Sequence, residues 1–194
     1  QDNPKLDYAK ALAAALAYVV LSSHDRLTVH AFCDTTETPY PSLTGKSQIF
    51  RIFPFLDSLQ SHGRTDFPRA VEEIAWRAPP SSSLLVISDL FWKEGLETGL
   101  DALAGRGLHT LFIQVLSPVE LDPPWRGLSL LRDVETNRGR RVHLTQDAIN
   151  TYQRELRRLL ERQEQACLDA QIPLSRVTTD TPFDEFLLQL LLQG

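Results

Sequence analysis

The chain has 194 residues, 42% hydrophobic and 23% charged, with a formal net charge of −5. That is enough for one domain with a proper core, and the usage is that of a globular rather than a disordered protein. A net acidic chain lacks the concentrated basic surface that phosphate backbones need, so nucleic acid is not an expected partner.

No stretch reaches the ~18 consecutive apolar residues of a membrane span; the longest candidate, Ala11 to Leu21, is too short. No secretory signal is visible. Cys33 and Cys167 are the only cysteines. Two isolated thiols make no disulfide framework, so the expectation is a reducing, cytoplasmic setting. The chain contains no methionine and begins at Gln1, which suggests a piece of a longer gene product.

Asn3-Pro4 is a helix start, an N-cap followed by a proline whose missing N–H does no harm there. Leu6, Ala9, Ala13, Leu16 and Val20 follow at helical spacing. Arg26 to Cys33 alternates as a strand, and Thr35 to Leu43, rich in Thr and Pro, suits an edge strand or hairpin arm. Lys46 to Leu59 reads as a helix with Ile49, Ile52, Phe53 and Leu56 on one stripe and Pro54 bending or shortening it. After the loop Ser61-His62-Gly63-Arg64, Thr65 or Asp66 caps a helix that Pro79-Pro80 ends. Leu84 to Ile87 is continuously apolar, as in a strand buried on both faces of a parallel sheet, and it stops at Ser88-Asp89.

Leu96 to Ala104 is the next helix, closed by Gly105 and Gly107. Thr110 to Leu116 is another buried strand. Residues at about 118–145 break the rhythm and read as an inserted hairpin, Leu128–Val134 with Arg141–Leu144. Arg138, Arg140 and Arg141 fit a solvated turn there. Asp147 to Gln171 is the longest helix, its stripe marked by Ile149, Tyr152, Leu156, Leu159, Leu160, Cys167 and Ala170. Leu174 to Thr178 is the last strand, and Thr181-Pro182-Phe183-Asp184 opens a C-terminal helix. Helices alternating with short apolar strands predict an α/β fold: an open, mostly parallel sheet with helices on both faces, as one domain over 1–194. Sites in such folds lie beyond the carboxyl ends of the strands, which directs attention to Asp34, Asp89, Ser117 and Asp180 and to the loop bearing Thr65.

Several catalytic motifs fail. Gly45-Lys46-Ser47 resembles the end of a P-loop, but position 40 is tyrosine where the pattern needs glycine. No G-x-G-x-x-G follows a strand, and no G-x-S-x-G is present. The histidines at 24, 30, 62, 109 and 143 share no ligand spacing with one another or with the cysteines. Two features remain: Gly63-Arg64-Thr65-Asp66 on a loop that opens a helix, and Ile87-Ser88-Asp89 at a strand tip. Taken singly, each reads as a cap or turn.

In combination they suggest a family. Lys5-Leu6-Asp7-Tyr8-Ala9-Lys10, Asp25-Arg26-Leu27 with Phe32-Cys33-Asp34, and Gly63-Arg64-Thr65-Asp66 are followed by Leu85-Val86-Ile87-Ser88-Asp89-Leu90-Phe91. Then come Gln114-Val115-Leu116-Ser117-Pro118-Val119-Glu120-Leu121, Leu131-Arg132-Asp133-Val134-Glu135-Thr136 and Thr178-Thr179-Asp180-Thr181-Pro182. Nearly end to end, the chain resembles the bacterial von Willebrand A-like family known as domain of unknown function fifty-eight, whose members are typically encoded beside MoxR-type AAA+ ATPases. The resemblance implies a Rossmann-like sheet and a metal-ion-dependent adhesion site for magnesium. By position, Thr65 matches the threonine of that site and Asp89 its aspartate. The D-x-S-x-S of the pattern is absent from the chain; the family would place it, with the central first strand, before Gln1.

The expectation is therefore a fold lacking its first strand. A strand swap or a homo-oligomer would fill the gap, and magnesium would be held weakly or not at all by Thr65 and Asp89 alone. The function implied is a protein–protein interaction module working with a MoxR-type ATPase in complex assembly or remodelling, and not an enzyme. Two alternatives stay open: a magnesium-dependent phosphohydrolase using Asp34 and Asp89, and a structural domain with a degenerate metal site.

Overall fold

The computed structural model describes residues 3–32, 40–61, 65–92, 95–124, 127–132 and 139–193, with backbone only at 127–132, 139–144 and 193. The first helix, α1 (Pro4–Ser22), begins where Asn3 accepts from the Leu6 amide, with Pro4 in the first turn. Its fully buried seam is Leu12, Leu16, Ala17 and Leu21, rotated from the expected stripe because α1 packs on two partners at once. β1 (Arg26–Leu27) pairs antiparallel with β2 (Leu43–Thr44). β1 is far shorter than the strand expected over Arg26 to Cys33, of which Cys33 lies outside the described residues. Its partner spans only two residues, and the backbone beyond is held by a separate bond from the Tyr40 amide to the Val29 carbonyl.

A 3-10 turn (Lys46–Gln48) leads into α2 (Ile49–Ser58). Pro54 lies inside α2 without ending it. Phe53, expected on the buried stripe, is 45% exposed, while Ile49, Ile52 and Leu56 pack on α1 and β2. α3 (Phe67–Arg77) is capped by Asp66, whose carboxylate accepts from the Arg69 amide. Of the two caps the sequence offered, Asp66 is the one used.

Three strands, β3 (Ser83–Ser88), β4 (His109–Leu116) and β7 (Leu174–Thr178), form a parallel sheet in the order β3-β4-β7. α4 (Leu96–Ala104) connects β3 to β4. After β4 come the short α5 (Pro118–Leu121) and an antiparallel hairpin of β5 (Gly127–Arg132) with β6 (Gly139–Leu144). α6 (Gln146–Asp169) precedes β7, and α7 (Phe183–Gln193) follows it. The expected parallel sheet, its covering helices and the inserted hairpin are all present. α5 was not foreseen. Arg138 lies outside the described residues, as do the side chains of Arg140 and Arg141.

The sheet is buried by alternation along β4. Phe112, Gln114 and Leu116 point to one face and Ile113 and Val115 to the other, all 2% exposed or less. The first face meets Phe67, Val71, Leu100, Leu103 and Cys167 of α3, α4 and α6. The second meets Leu12 and Leu16 of α1 and Phe186 of α7. Full burial of such side chains stabilises by about 1.5–3 kcal/mol each. β3 is less buried than its apolar run predicts, with Leu85 39% exposed. The reason is positional: among the described residues β3 pairs only with β4, so it is an edge strand.

Two glycines permit close approach at one end of this sheet. Gly95 has φ +92°, and a Cβ on it would lie 2.5 Å from Pro68 Cγ. A Cβ on Gly99 would lie 2.3 Å from Phe67 Cε1. The starts of α3 and α4 are thereby pressed together.

Candidate functional site at the carboxyl rim of the sheet

α3 leads by a short connection into β3, so its N-terminus lies at the end of the sheet where β3 finishes. Phe67, the first residue of α3, stacks on Trp92 at 3.8 Å between ring centroids, and Trp92 is only three residues past Asp89. The segments that carry Thr65 and Asp89 therefore meet at this end of the sheet. No hydrogen bond joins them. Thr65 is exposed, and Asp89 is engaged elsewhere.

Asp89 Oδ2 accepts from Lys5 Nζ at 2.7 Å, and its Oδ1 accepts from the Phe91 amide at 3.1 Å. The same ammonium donates to Glu120 Oε1 at 2.6 Å. One lysine in the first turn of α1 thus ties the tip of β3 to the short helix beyond β4. The three side chains are 23% (Lys5), 34% (Asp89) and 25% (Glu120) exposed, so the network is half-buried and less screened than a surface pair. Burial alone would lower the Lys5 pKa. The charges and hydrogen bonds of Asp89 and Glu120 outweigh it and hold the ammonium above the ordinary lysine value. The Phe91 ring lies 5.2 Å from Nζ and adds a cation–π contact.

Glu120 is itself fixed. Its Oε2 accepts from the Ser117 amide at 2.8 Å, closing the box that caps α5. Its carbonyl accepts from Tyr152 Oη at 3.0 Å. Burial, then the Glu120 charge, raises the Tyr152 pKa, keeping the phenol a donor. Tyr152, expected on the buried stripe of α6, is 43% exposed because it serves this bond at the rim.

The backbone beneath Asp89 is held by a buried amide network. Gln114 Nε2 donates to the Asp89 carbonyl at 2.9 Å and to Gln163 Oε1 at 3.0 Å. Gln163 Nε2 donates to the Leu90 carbonyl at 2.6 Å, and Arg176 Nε to Gln114 Oε1 at 2.8 Å. Gln114 and Gln163 are 0% and 3% exposed. Leu90, 1% exposed, has φ +58°, a left-handed conformation that costs a non-glycine residue about 1 kcal/mol or more. The amide bonds on either side of it hold that turn and so aim Asp89.

Of the other residues singled out by the sequence, Ser117 contributes its amide to the Glu120 bond. Asp180, past the tip of β7, lies near Tyr8; burial, then Asp180 and Asp184, raise the tyrosine's pKa. Tyr8 Oη is buried without a hydrogen-bond partner among the described residues. Asp34 lies outside the described residues.

Lys5, Glu120, Gln114 and Gln163 were not singled out as site residues, yet the first three each left a sequence signal. A lysine in a helix's first turn opposes the helix dipole and needs a local reason. Ser117-Pro118-Val119-Glu120 is a capping-box spacing. A glutamine inside an apolar strand must find partners when buried.

Magnesium takes six oxygen ligands at about 2.0–2.1 Å. Thr65 and Asp89 as they stand do not fit such a centre. The Asp89 carboxylate is committed to an ammonium, and no group of three or more His, Cys, Asp or Glu side chains among the described residues could hold a metal ion.

Residues 1–164 match the family described as Protein of unknown function DUF58. The chain belongs to the DUF58 family. No curated protein matches it significantly. Among solved structures it is similar to a conserved hypothetical protein, BatB, from Bacteroides thetaiotaomicron. The TM-score is 0.57 and the identity 17%, covering 97% of this chain and 87% of that one. It is also similar to an aerotolerance-related membrane protein from Bacteroides fragilis, at TM-score 0.55 and 18% identity over 89% of this chain and 80% of that one. At such identities the likeness concerns the fold alone. Among the described residues, no helix of this DUF58 chain is long and apolar enough to cross a membrane.

Proposed function

We propose that this DUF58 chain is a protein-interaction module of the bacterial cytoplasm that works with a MoxR-type AAA+ ATPase in assembling or remodelling other complexes. The docking face is the carboxyl rim of the sheet, from Thr65 through Asp89 to Glu120. The observation that carries the reading is the convergence of Lys5, Asp89 and Glu120 from three separate elements into one half-exposed charged network on a braced turn. These side chains are spent on one another, which suits a fixed recognition surface better than turnover. The choice of partner rests on the resemblance to von Willebrand A-like proteins encoded beside such ATPases. The magnesium bridge implied by the same resemblance would need oxygen donors beyond Thr65 and Asp89.

The test is a pull-down of the neighbouring ATPase with the full chain, comparing wild type, Thr65→Ala, Asp89→Ala and Phe50→Ala. Phe50, 73% exposed on α2, is away from the rim. The expected result is binding weakened tenfold or more by Asp89→Ala, weakened less by Thr65→Ala, and unchanged by Phe50→Ala. Binding unaffected by both rim substitutions would overturn the reading.

A further inference from the structure

We infer that Lys5 is the resident cation of this rim: its tethered ammonium takes the place a divalent ion would hold between Asp89 and Glu120, making the centre independent of metal. This deepens the docking reading and rests on it only for the partner arm of the test below.

Two carboxylate oxygens from different elements lie within 2.7 Å of one nitrogen. Carboxylates converging on one point cannot both stay ionised without a positive charge between them. A free ion could supply that charge, and calcium–oxygen distances of about 2.3–2.6 Å are close to those seen around Nζ. Lys5 supplies it instead, and covalently. Its stem rises from the first turn of α1, where the helix dipole disfavours a cation, so the attraction of Asp89 and Glu120 must exceed that penalty. The ring of Phe91 covers the ammonium on a further side. Loading this position with a hard cation would require the ammonium to leave.

Removal of the ammonium while its apolar stem is kept, Lys5→Met, should leave two uncompensated carboxylates and create a divalent-ion site. Thermal unfolding of the full chain is followed in chelator, in millimolar calcium chloride and in millimolar magnesium chloride. Wild type and Lys5→Arg should show no ion-dependent change in Tm. Lys5→Met should melt lower in chelator and recover by about 3 °C or more with calcium. The double variant Lys5→Met with Glu120→Gln, which retains one carboxylate, should lose that recovery.

An ion-dependent Tm in wild type, or no calcium response in folded Lys5→Met, would overturn the inference. If Lys5→Met does not fold in chelator, calcium-dependent refolding followed by circular dichroism gives the same decision. In the partner arm, run with nucleotide-free ATPase so that no Mg–nucleotide is disturbed, wild-type binding should be unchanged by chelator, and binding abolished by chelator would contradict a metal-free rim. No binding in either condition overturns the docking reading alone and leaves the ion arm to decide this one.

Discussion

Replacing Gln114 with leucine, a side chain of similar size, should be costly because of what its amide satisfies. The Nε2 group donates to the Asp89 carbonyl and to Gln163 Oε1, and the 0% exposure of Gln114 leaves no water to take over. Two acceptors are orphaned, at about 1–3 kcal/mol each. The leucine regains about 1.5–3 kcal/mol from its own burial. Arg176 Nε also loses its acceptor, but that side chain is partly exposed and recovers through solvent. The net is a loss of about 2 kcal/mol, or a Tm lower by about 4–8 °C for a chain of this size. Urea unfolding of wild type, Gln114→Leu, Gln163→Leu and the double variant measures it. The coupling between the two glutamines should be at least about 0.5 kcal/mol, since they share a bond. Gln114→Leu within about 0.5 kcal/mol of wild type, or strictly additive losses, would refute the view that this network braces the Asp89 turn.

Gly99→Ala should destabilise by about 1–3 kcal/mol despite alanine's better helix propensity. The new Cβ would meet the Phe67 ring at 2.3 Å, and that ring is held between Trp92 and Phe112; chemical denaturation reads the sign. Cys167 is 1% exposed and burial pushes its thiol up to about 11, so iodoacetamide at pH 8 should label Cys167 far more slowly in the native than in the urea-unfolded chain of a Cys33→Ser background. His30 has its pKa lowered by burial and then by Arg77, so the native chain binds this proton less readily than the unfolded one. Its contribution should be present above the ordinary histidine value of about 6.5 and lost as pH falls through the lower native value, and His30→Gln should flatten the dependence of the urea midpoint on pH over that window.

The α/β architecture was legible because its signals are local and repeated. Asn3-Pro4 caps α1 as written, Leu96 to Ala104 is a helix with the bounds expected, and Leu174 to Thr178 is the last strand residue for residue. The hairpin showed as two alternating segments around Asn137-Arg138-Gly139. Less legible was whatever depends on neighbours. The apolar run of β3 gave no hint that Leu85 would be exposed, since edge position belongs to the sheet and not to the strand. Phe53 and Tyr152 fit helical stripes by spacing, but each faces a side with nothing packed fully over it. At the rim, Asp89 could be picked from its place at a strand tip. Lys5 could not be assigned to it, because 84 residues separate the pair and ion pairs leave no periodic trace.

The grip of Gln163 on the Leu90 carbonyl makes the rim sensitive to a distant lever. A helix advances about 1.5 Å per residue. Sliding α6 along its axis by two residues, about 3 Å, would stretch that 2.6 Å bond beyond hydrogen-bonding reach. Leu90 would then be free to leave its left-handed conformation, and Asp89 would turn away from the ammonium with it. Traction on α6 would thereby be converted into a change of charge display at the rim, with the leucine turn acting as its release catch.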